Sequence, residues 1–244
     1  MNRLSERLQT ICSMIRGSGT LADIGCDHAY VPIQLVRSGQ FAHAVASDVR
    51  PGPLAIAAEH IRAEACADKI ETRLSDGLAG LKPGEADTIV IAGMGGRLTG
   101  RILSDAPAVA GSVKELILEP QSDLAWVRRT LLETSFAGTF FRIADEEMVE
   151  EDGKYYQIIR AVPAETKTAP AEEYEYHFGP VLLRKQHPVL WRYLEKKEQQ
   201  VLRVLGSLEK QASAEAESRD RVMVRIGELR EELARIRAVK EHYE

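Results

Sequence analysis

The 244-residue chain has no run approaching the roughly 18 apolar residues that a membrane-spanning helix needs. Its opening, MNRLSERLQTICSMIR, is broken by charge every few residues and reads as neither a signal peptide nor an anchor. Cysteine is scarce: Cys12, Cys26 and Cys66 are odd in number and lack a paired spacing. No disulfide framework, structural zinc site or other metal is expected, and the usage suits a reducing cytoplasm. Neither charge sign dominates, since the formal net charge is only −5. Two phosphate-binding signatures are missing as well. No strand is followed by G-x-G-x-x-G, and no glycine-rich loop ends in Lys-Ser/Thr.

What is present is an ordinary globular composition, 44% hydrophobic and 28% charged, which excludes disorder throughout. Residues 1–162 alternate strand-like and helix-like segments. Apolar, β-branched runs lie at Thr20–Ile24, Ala44–Ser47, Thr88–Ala92 and Leu116–Leu118, with a weaker one at Ile70–Leu74. Helix-length pieces such as Pro53–Ala65, Leu98–Leu103 and Leu124–Glu133 separate them. This pattern predicts a mostly parallel sheet with helices on both faces. Phe140–Val149 and Tyr155–Val162 then flank Asp152-Gly153, a hairpin signal that predicts an antiparallel closure.

Residues 163–173, rich in Pro, Ala and Glu, read as a linker. In 174–244 the period changes. Trp191, Leu194, Glu198, Val201, Leu205 and Leu208 recur at three- and four-residue steps, as do Val222, Ile226, Leu229, Leu233, Ile236, Lys240 and Tyr243. Two coiled-coil helices follow, with 211–220 reversing the chain into an antiparallel hairpin. Self-association through the same stripes stays open, so a monomer and a weak dimer are both allowed.

The chemistry concentrates at strand ends. The first strand runs into Asp23-Ile24-Gly25-Cys26-Asp27-His28-Ala29-Tyr30, where Gly25 lets the backbone approach a ligand at the sheet's carboxyl edge. Asp23 and Asp27 would repel a pyrophosphate and favour a cation. S-adenosyl-L-methionine carries a sulfonium and an α-ammonium and no phosphate. Asp48 ends the second strand, 25 residues after Asp23, where an acid can accept both ribose hydroxyls. Asp76 with Gly77 follows the third strand and suits an adenine amine. Gly93-Met94-Gly95-Gly96 opens a loop after the fourth. Each acid alone has a plain reading as a turn or cap residue; three after successive strands form a far more specific pattern. After the fifth strand, Ser122 or Asp123 is expected to cap the next helix.

With these residues in place, the sequence resembles the bacterial tRNA adenine-N1 methyltransferases that modify position 22, the TrmK family. The resemblance rests on LSERL (Leu4–Leu8), LADIGCDHAYVP (Leu21–Pro32), ASDVRPGPL (Ala46–Leu54), LSDGL (Leu74–Leu78), IAGMGG (Ile91–Gly96), LEPQSD (Leu118–Asp123) and EDGKYYQI (Glu151–Ile158), and it covers essentially the whole chain. Glu119-Pro120-Gln121 departs from it, standing where a neutral Gln-Pro-Asn-like turn is expected. The resemblance implies a class I, Rossmann-like methyltransferase sheet of the α/β class with a C-terminal α-helical coiled-coil domain. It also implies methylation of N1 of adenine 22 in tRNA from S-adenosyl-L-methionine.

On that footing Asp23, Gly25 and Asp27 line the methionine end, Asp48 and Val49 the ribose, and Asp76 and Gly77 the adenine. Gly93, Met94 and Gly95 shape the gap to the target base. His28 joins the cofactor set, and Asp27, His28, Tyr30 and Gly95 are the candidate catalytic positions. Arg7 is a candidate for cofactor or RNA contact. Arg97, Arg101, Arg128, Arg129, Arg184, Lys185, Arg192, Lys196 and Lys197 are candidates for phosphate contact. Residues 1–169 carry 18 Lys+Arg against 23 Asp+Glu, while 170–244 carry 14 of each, so the tail is denser in cations. Two other readings share these features: a methyltransferase for a small molecule or protein, and a coiled-coil adaptor with a cofactor-binding domain.

Overall fold

The computed structural model describes residues 4–168, 170, 172–214, 219–241 and 243. The chain divides into two compact units, Met1–Val181 and Leu182–Glu244. In the first, α1 (Glu6–Met14) precedes β1 (Gly19–Ile24), α2 (Tyr30–Arg37), β2 (Phe41–Asp48), α3 (Pro51–Ala63) and β3 (Ile70–Leu74). The chain continues through β4 (Thr88–Met94), α4 (Gly96–Asp105), α5 (Pro107–Ala110), β5 (Glu115–Pro120) and α6 (Leu124–Glu133). A hairpin of β6 (Phe140–Glu151) and β7 (Lys154–Ala164) follows, then α7 (Glu173–Phe178), while α8 (Pro180–Arg184) straddles the division.

The seven strands form one sheet in the order β3-β2-β1-β4-β5-β7-β6. The first five are parallel, and β7 and β6 join antiparallel. The chain reverses its direction of travel between β1 and β4, so their carboxyl ends flank the switch point where open α/β sheets bind ligands. At the hairpin tip Asp152 (φ 50°) and Gly153 (φ 73°) both take left-handed conformations. The tight turn these residues make matches the twist of the strands they join.

Alternation along the central strands sends side chains to two cores. Leu21, Val90 and Ile117 pack with Ile11, Phe41 and Ile61 on one face. Ala22, Ile24, Ile89, Ile91 and Leu116 pack with Leu103, Leu131 and Phe141 on the other. Asp123 occupies the N-cap position of α6, as expected, but in a left-handed conformation and without a side-chain cap bond. Ser122 serves the neighbouring helix instead, its hydroxyl accepting from the Gly96 amide at 3.2 Å.

Arg128 departs from its expected role as a phosphate contact. It is fully buried, and its Nε lies 2.7 Å from Glu146 Oε1, while Nη1 donates to the Tyr176 carbonyl at 2.9 Å and Nη2 to Gln157 at 2.5 Å. Glu146 Oε2 accepts the Val181 amide at 2.8 Å. Five donors in a rigid fork suit this enclosed junction of α6, β6, β7 and the segment beyond α7. That segment therefore belongs to the sheet unit, and the compact division falls after Val181 rather than within 163–173. Arg129 is also engaged, with Glu173 at 2.7 Å and the Tyr176 ring 4.2 Å beneath it.

In the second unit α9 (Pro188–Ala214) and α10 (Arg219–Lys240) pair antiparallel. Trp191 meets Tyr243 with ring centroids 5.2 Å apart, and Glu198 meets Arg237 and Lys240 at 3.2 and 2.7 Å. The buried stripe is Leu190, Leu194, Val201 and Leu205 against Ile226, Leu229, Leu233, Ile236 and Val239. Glu198, the polar interruption of the expected seam, is thus matched by cations. Within the expected reversal, 215–218 lie outside the described residues. Among the described residues, no helix is long and apolar enough to cross a membrane.

Arg128→Met should leave the Glu146 carboxylate buried without its cation and take the donor from the Tyr176 carbonyl, costing about 3–5 kcal/mol of stability. Urea unfolding of the full chain reads this loss. Adding Glu146→Leu should recover part of it, because no buried charge then remains.

Candidate active site

A cavity of about 590 Å³ opens at the carboxyl ends of β1, β2, β3 and β4. Its wall includes Asp23, Gly25, Asp27, His28, Tyr30, Asp48, Val49, Asp76, Gly77, Gly93 and Met94. The sheet register explains the convergence. Asp23 lies beside Ala46 of β2 and Val90 of β4, and Asp48 beside Leu74, two residues before Asp76. Gly95 alone among the expected site residues is absent from the wall. It heads α4 as N-cap, its carbonyl accepting from the Thr99 amide at 3.0 Å.

Gly25 is required by space as well as by conformation. Its φ is 74°, and a Cβ there would meet Met94 Cε at 2.1 Å. The β1 loop and the β4 loop therefore touch across the cavity floor. Beyond Gly25, Asp27 (φ 47°) and Ala29 (φ 55°) take left-handed conformations that side chains disfavour. Backbone strain on both sides of His28 is of the kind that clusters at functional sites. The His28, Tyr30 and His60 rings form a three-way cluster, with His28 5.3 Å from each of the other two and those two 5.5 Å apart. Its Nδ1 is buried with no hydrogen-bond partner among the described residues. Its Nε2 lies 3.4 Å from Asp27 Oδ2.

Two of the acids are nearly closed off from water. Asp48 accepts the Arg50 amide at 2.8 Å. Asp23 is 5% exposed, and burial, with the Asp48 charge adding to it, pushes its carboxyl up to about 7. A dehydrated carboxyl facing a second acid is a site that gains from a cation.

The family comparison agrees with this chemistry. Residues 4–159 match the family model described as a methyltransferase domain. The chain is 36% identical over 159 residues to the tRNA (adenine(22)-N(1))-methyltransferase of Bacillus subtilis (strain 168), a match covering 65% of each chain. The aligned region thus spans just under two thirds of that curated relative. Solved structures extend the likeness. Streptococcus pneumoniae Sp1610, a candidate tRNA (m1A22) methyltransferase in complex with S-adenosyl-L-methionine, is 32% identical with a TM-score of 0.73, over 95% of this chain and 100% of that one. TrmK of M. capricolum, in complex with S-adenosyl-homocysteine, is 25% identical with a TM-score of 0.80, over 99% of each chain. The chain belongs to the TrmK family of methyltransferases.

Arg7, a candidate from the sequence, reaches this site, and it does so with a partner that had no assigned role. Glu119, at the end of β5, is fully buried, and its Oε2 accepts from Arg7 Nη1 and from the Gly93 amide, each at 2.8 Å. Arg7 lines the cavity and lies 5.2 Å from the centre of the Tyr156 ring. Burial raises the Glu119 carboxyl, against the pull of Arg7 and the Gly93 amide. The departure at Glu119-Pro120-Gln121 was the one sequence signal here. His60, on α3, gave none. Leu98 and Ile102 of α4 complete the wall. Outside the cavity, Arg97 lies 4.9 Å from the Trp126 ring centre and 3.4 Å from Asp123, and Arg101 is 3.9 Å from Asp105. Arg184, Lys185, Arg192 and Lys196 are exposed, while Lys197 pairs with Glu232 at 3.0 Å.

The Asp23 shift has opposite consequences for the free and ligand-bound protein. Between its unfolded value near 3.8 and its folded value near 7, the folded chain holds a proton that the unfolded chain lacks. This group's contribution to stability therefore falls as pH rises through that window. A ligand that sets an ammonium group beside Asp23 selects the ionised form, so its affinity rises with pH and levels above 7. Calorimetric titration with S-adenosyl-homocysteine from pH 5.5 to 8.5 should show up to about tenfold tighter binding per unit below 7. Asp23→Asn should bind more weakly and flatten the profile.

Proposed function

We propose that the chain methylates N1 of adenine 22 in tRNA, using S-adenosyl-L-methionine, and that it acts in the cytoplasm. The reading is carried by the convergence in one cavity of the acids that end three neighbouring parallel strands, two of them buried. The donor set fits the cofactor. Asp23, Gly25, Asp27 and His28 surround the methionine end, Asp48 and Val49 the ribose, Asp76 and Gly77 the adenine, and Gly93 and Met94 frame the side from which the target base arrives. The relatives named for tRNA methylation and the structures holding S-adenosyl-L-methionine or its product support the assignment.

S-adenosyl-L-methionine, when bound, supplies a methyl group on a positively charged sulfur, already a good electrophile. N1 of adenine has an in-plane lone pair, so no protein base is needed to create the nucleophile. The residues align the partners and exclude water. As the methyl moves, positive charge passes to the adenine ring. Asp27, beside His28 at the cavity wall, is the carboxylate that favours that displacement. Tyr30 and His28 offer stacked rings to a base that has left its helix, at a cost of a few kcal/mol. Exposed Tyr30, Val49 and Leu98 give the mouth an apolar rim suited to a flat ring. Arg97 and Arg101, with the exposed cations of α8 and α9, are the phosphate contacts in this reading.

Transfer of a labelled methyl from S-adenosyl-L-methionine to unmodified bacterial tRNA tests it. Label should map to N1 of adenine 22. Asp23→Ala should abolish it, and Asp48→Ala should weaken cofactor binding about 10- to 100-fold through lost ribose bonds. Cofactor binding without label on any tRNA would overturn the substrate assignment and leave a small molecule or protein as the acceptor.

A further inference from the structure

Glu119 sits beneath the catalytic cavity without lining it. A buried carboxylate is a poor device for stability, and this one leaves its second oxygen, Oε1, buried without a partner among the described residues. Its placement points to another role. Ala92 and Glu119 are paired neighbours in the β4–β5 ladder, and the register breaks between Ala92 and Met94. At that break the Gly93 amide, which lies next to a left-handed φ of 76°, is taken by the Glu119 side chain at 2.8 Å. On the far side of β4 lies β1, whose Ile24 pairs with Ile91 immediately before the Gly25 loop.

The Ala92–Gly93 peptide is trans, so its N–H and C=O point in opposite directions. An amide hydrogen fixed toward β5 leaves the Ala92 carbonyl directed toward β1 and the acidic end of the cavity, where Ala92 is a wall residue. A carbonyl held there is an acceptor for an ammonium group. Arg7 Nη1 grips the same Glu119 oxygen from α1 at 2.8 Å, so the carboxylate is clamped between a helix and a loop.

We propose that Glu119 is a positioning residue that fixes the Ala92–Gly93 peptide and thereby presents the Ala92 carbonyl to the cofactor's α-ammonium. This rests on the S-adenosyl-L-methionine reading above. It assigns Glu119 an effect on the amino-acid arm of the cofactor alone, with none on the nucleoside.

Two probes separate these parts. S-adenosyl-homocysteine carries the amino-acid arm, and 5′-methylthioadenosine has the same thioether nucleoside without it. Their affinities are measured by calorimetry on the full chain, with thermal unfolding as a control. Glu119→Leu should weaken S-adenosyl-homocysteine about tenfold or more and leave 5′-methylthioadenosine within about twofold. Glu119→Gln, whose amide oxygen still reaches Gly93, should recover most of the loss. Glu119→Asp keeps the charge but withdraws it by one methylene, and should behave like the leucine variant. The reverse order, with aspartate restoring affinity and glutamine failing, would replace positioning by a charge effect and overturn the proposal. Equal losses for both ligands would overturn it too, by exposing a general collapse of the cavity. Should the leucine variant fail to fold, the Gln and Asp pair still decides the matter. No S-adenosyl-homocysteine binding by the unaltered chain would remove the cofactor reading beneath the proposal, an outcome distinct from all of these.

Discussion

At the end of β1 a carboxyl group is held out of water within the field of a second carboxyl at the end of β2. Nothing in folding rewards that arrangement. Burial disfavours the ionised form of Asp23, and Asp48 disfavours it further, which is why its proton is retained to about pH 7. The left-handed residues on either side of His28 add to the cost. The fold offsets these local penalties with two well-packed apolar layers, one on each face of the sheet, and with strands whose register leaves their acids no freedom to separate. A cation entering the cavity relieves the conflict directly. The site's affinity and its instability when empty therefore have one origin.

The same economy governs the edge of the cavity formed by β4 and β5. There the backbone ladder is interrupted, and a side chain replaces the missing ladder acceptor. A neutral strand end would leave the Gly93 amide to water. Glu119 gives it a fixed direction and ties α1 to the same point through Arg7. The cavity is thus bounded by an N-terminal helix as well as by strand-end loops; Arg7 was a candidate from the sequence, while its pairing with Glu119 is visible only in the fold.

Most of the sheet was legible because its signals are local. Each parallel strand is a short apolar run, and the hairpin carries Asp152-Gly153 at its tip. The cavity acids were legible because each stands at a fixed offset from a strand end, so strand boundaries alone bring them together. What escaped depends on tertiary contacts. Arg128 reads as surface charge beside Arg129, and only the fold shows Glu146 and Gln157, 18 and 29 residues away, enclosing it. His60 lies on a turn of α3 without any motif, yet its ring completes the cluster with His28 and Tyr30. Glu119 stood out only as a departure from the family's expected turn. In the second unit, spacing located the helices, while the polar interruption at Glu198 found its explanation in cations from the opposite helix.

The attachment of α1 bears on the order in which the molecule can be completed. Arg7 Nη1 is bound by Glu119, 112 residues further on, and its backbone amide by Glu151, 144 residues further on, at the tip of the closing hairpin. During synthesis the first helix cannot reach Glu119 before β5 has left the ribosome, nor Glu151 before the first strand of the closing hairpin has done so. The cavity wall it supplies is accordingly among the last pieces to be set in place. A nascent chain can form its first strands early and still be unable to enclose a ligand, so a finished pocket waits on β5, the last of the parallel strands.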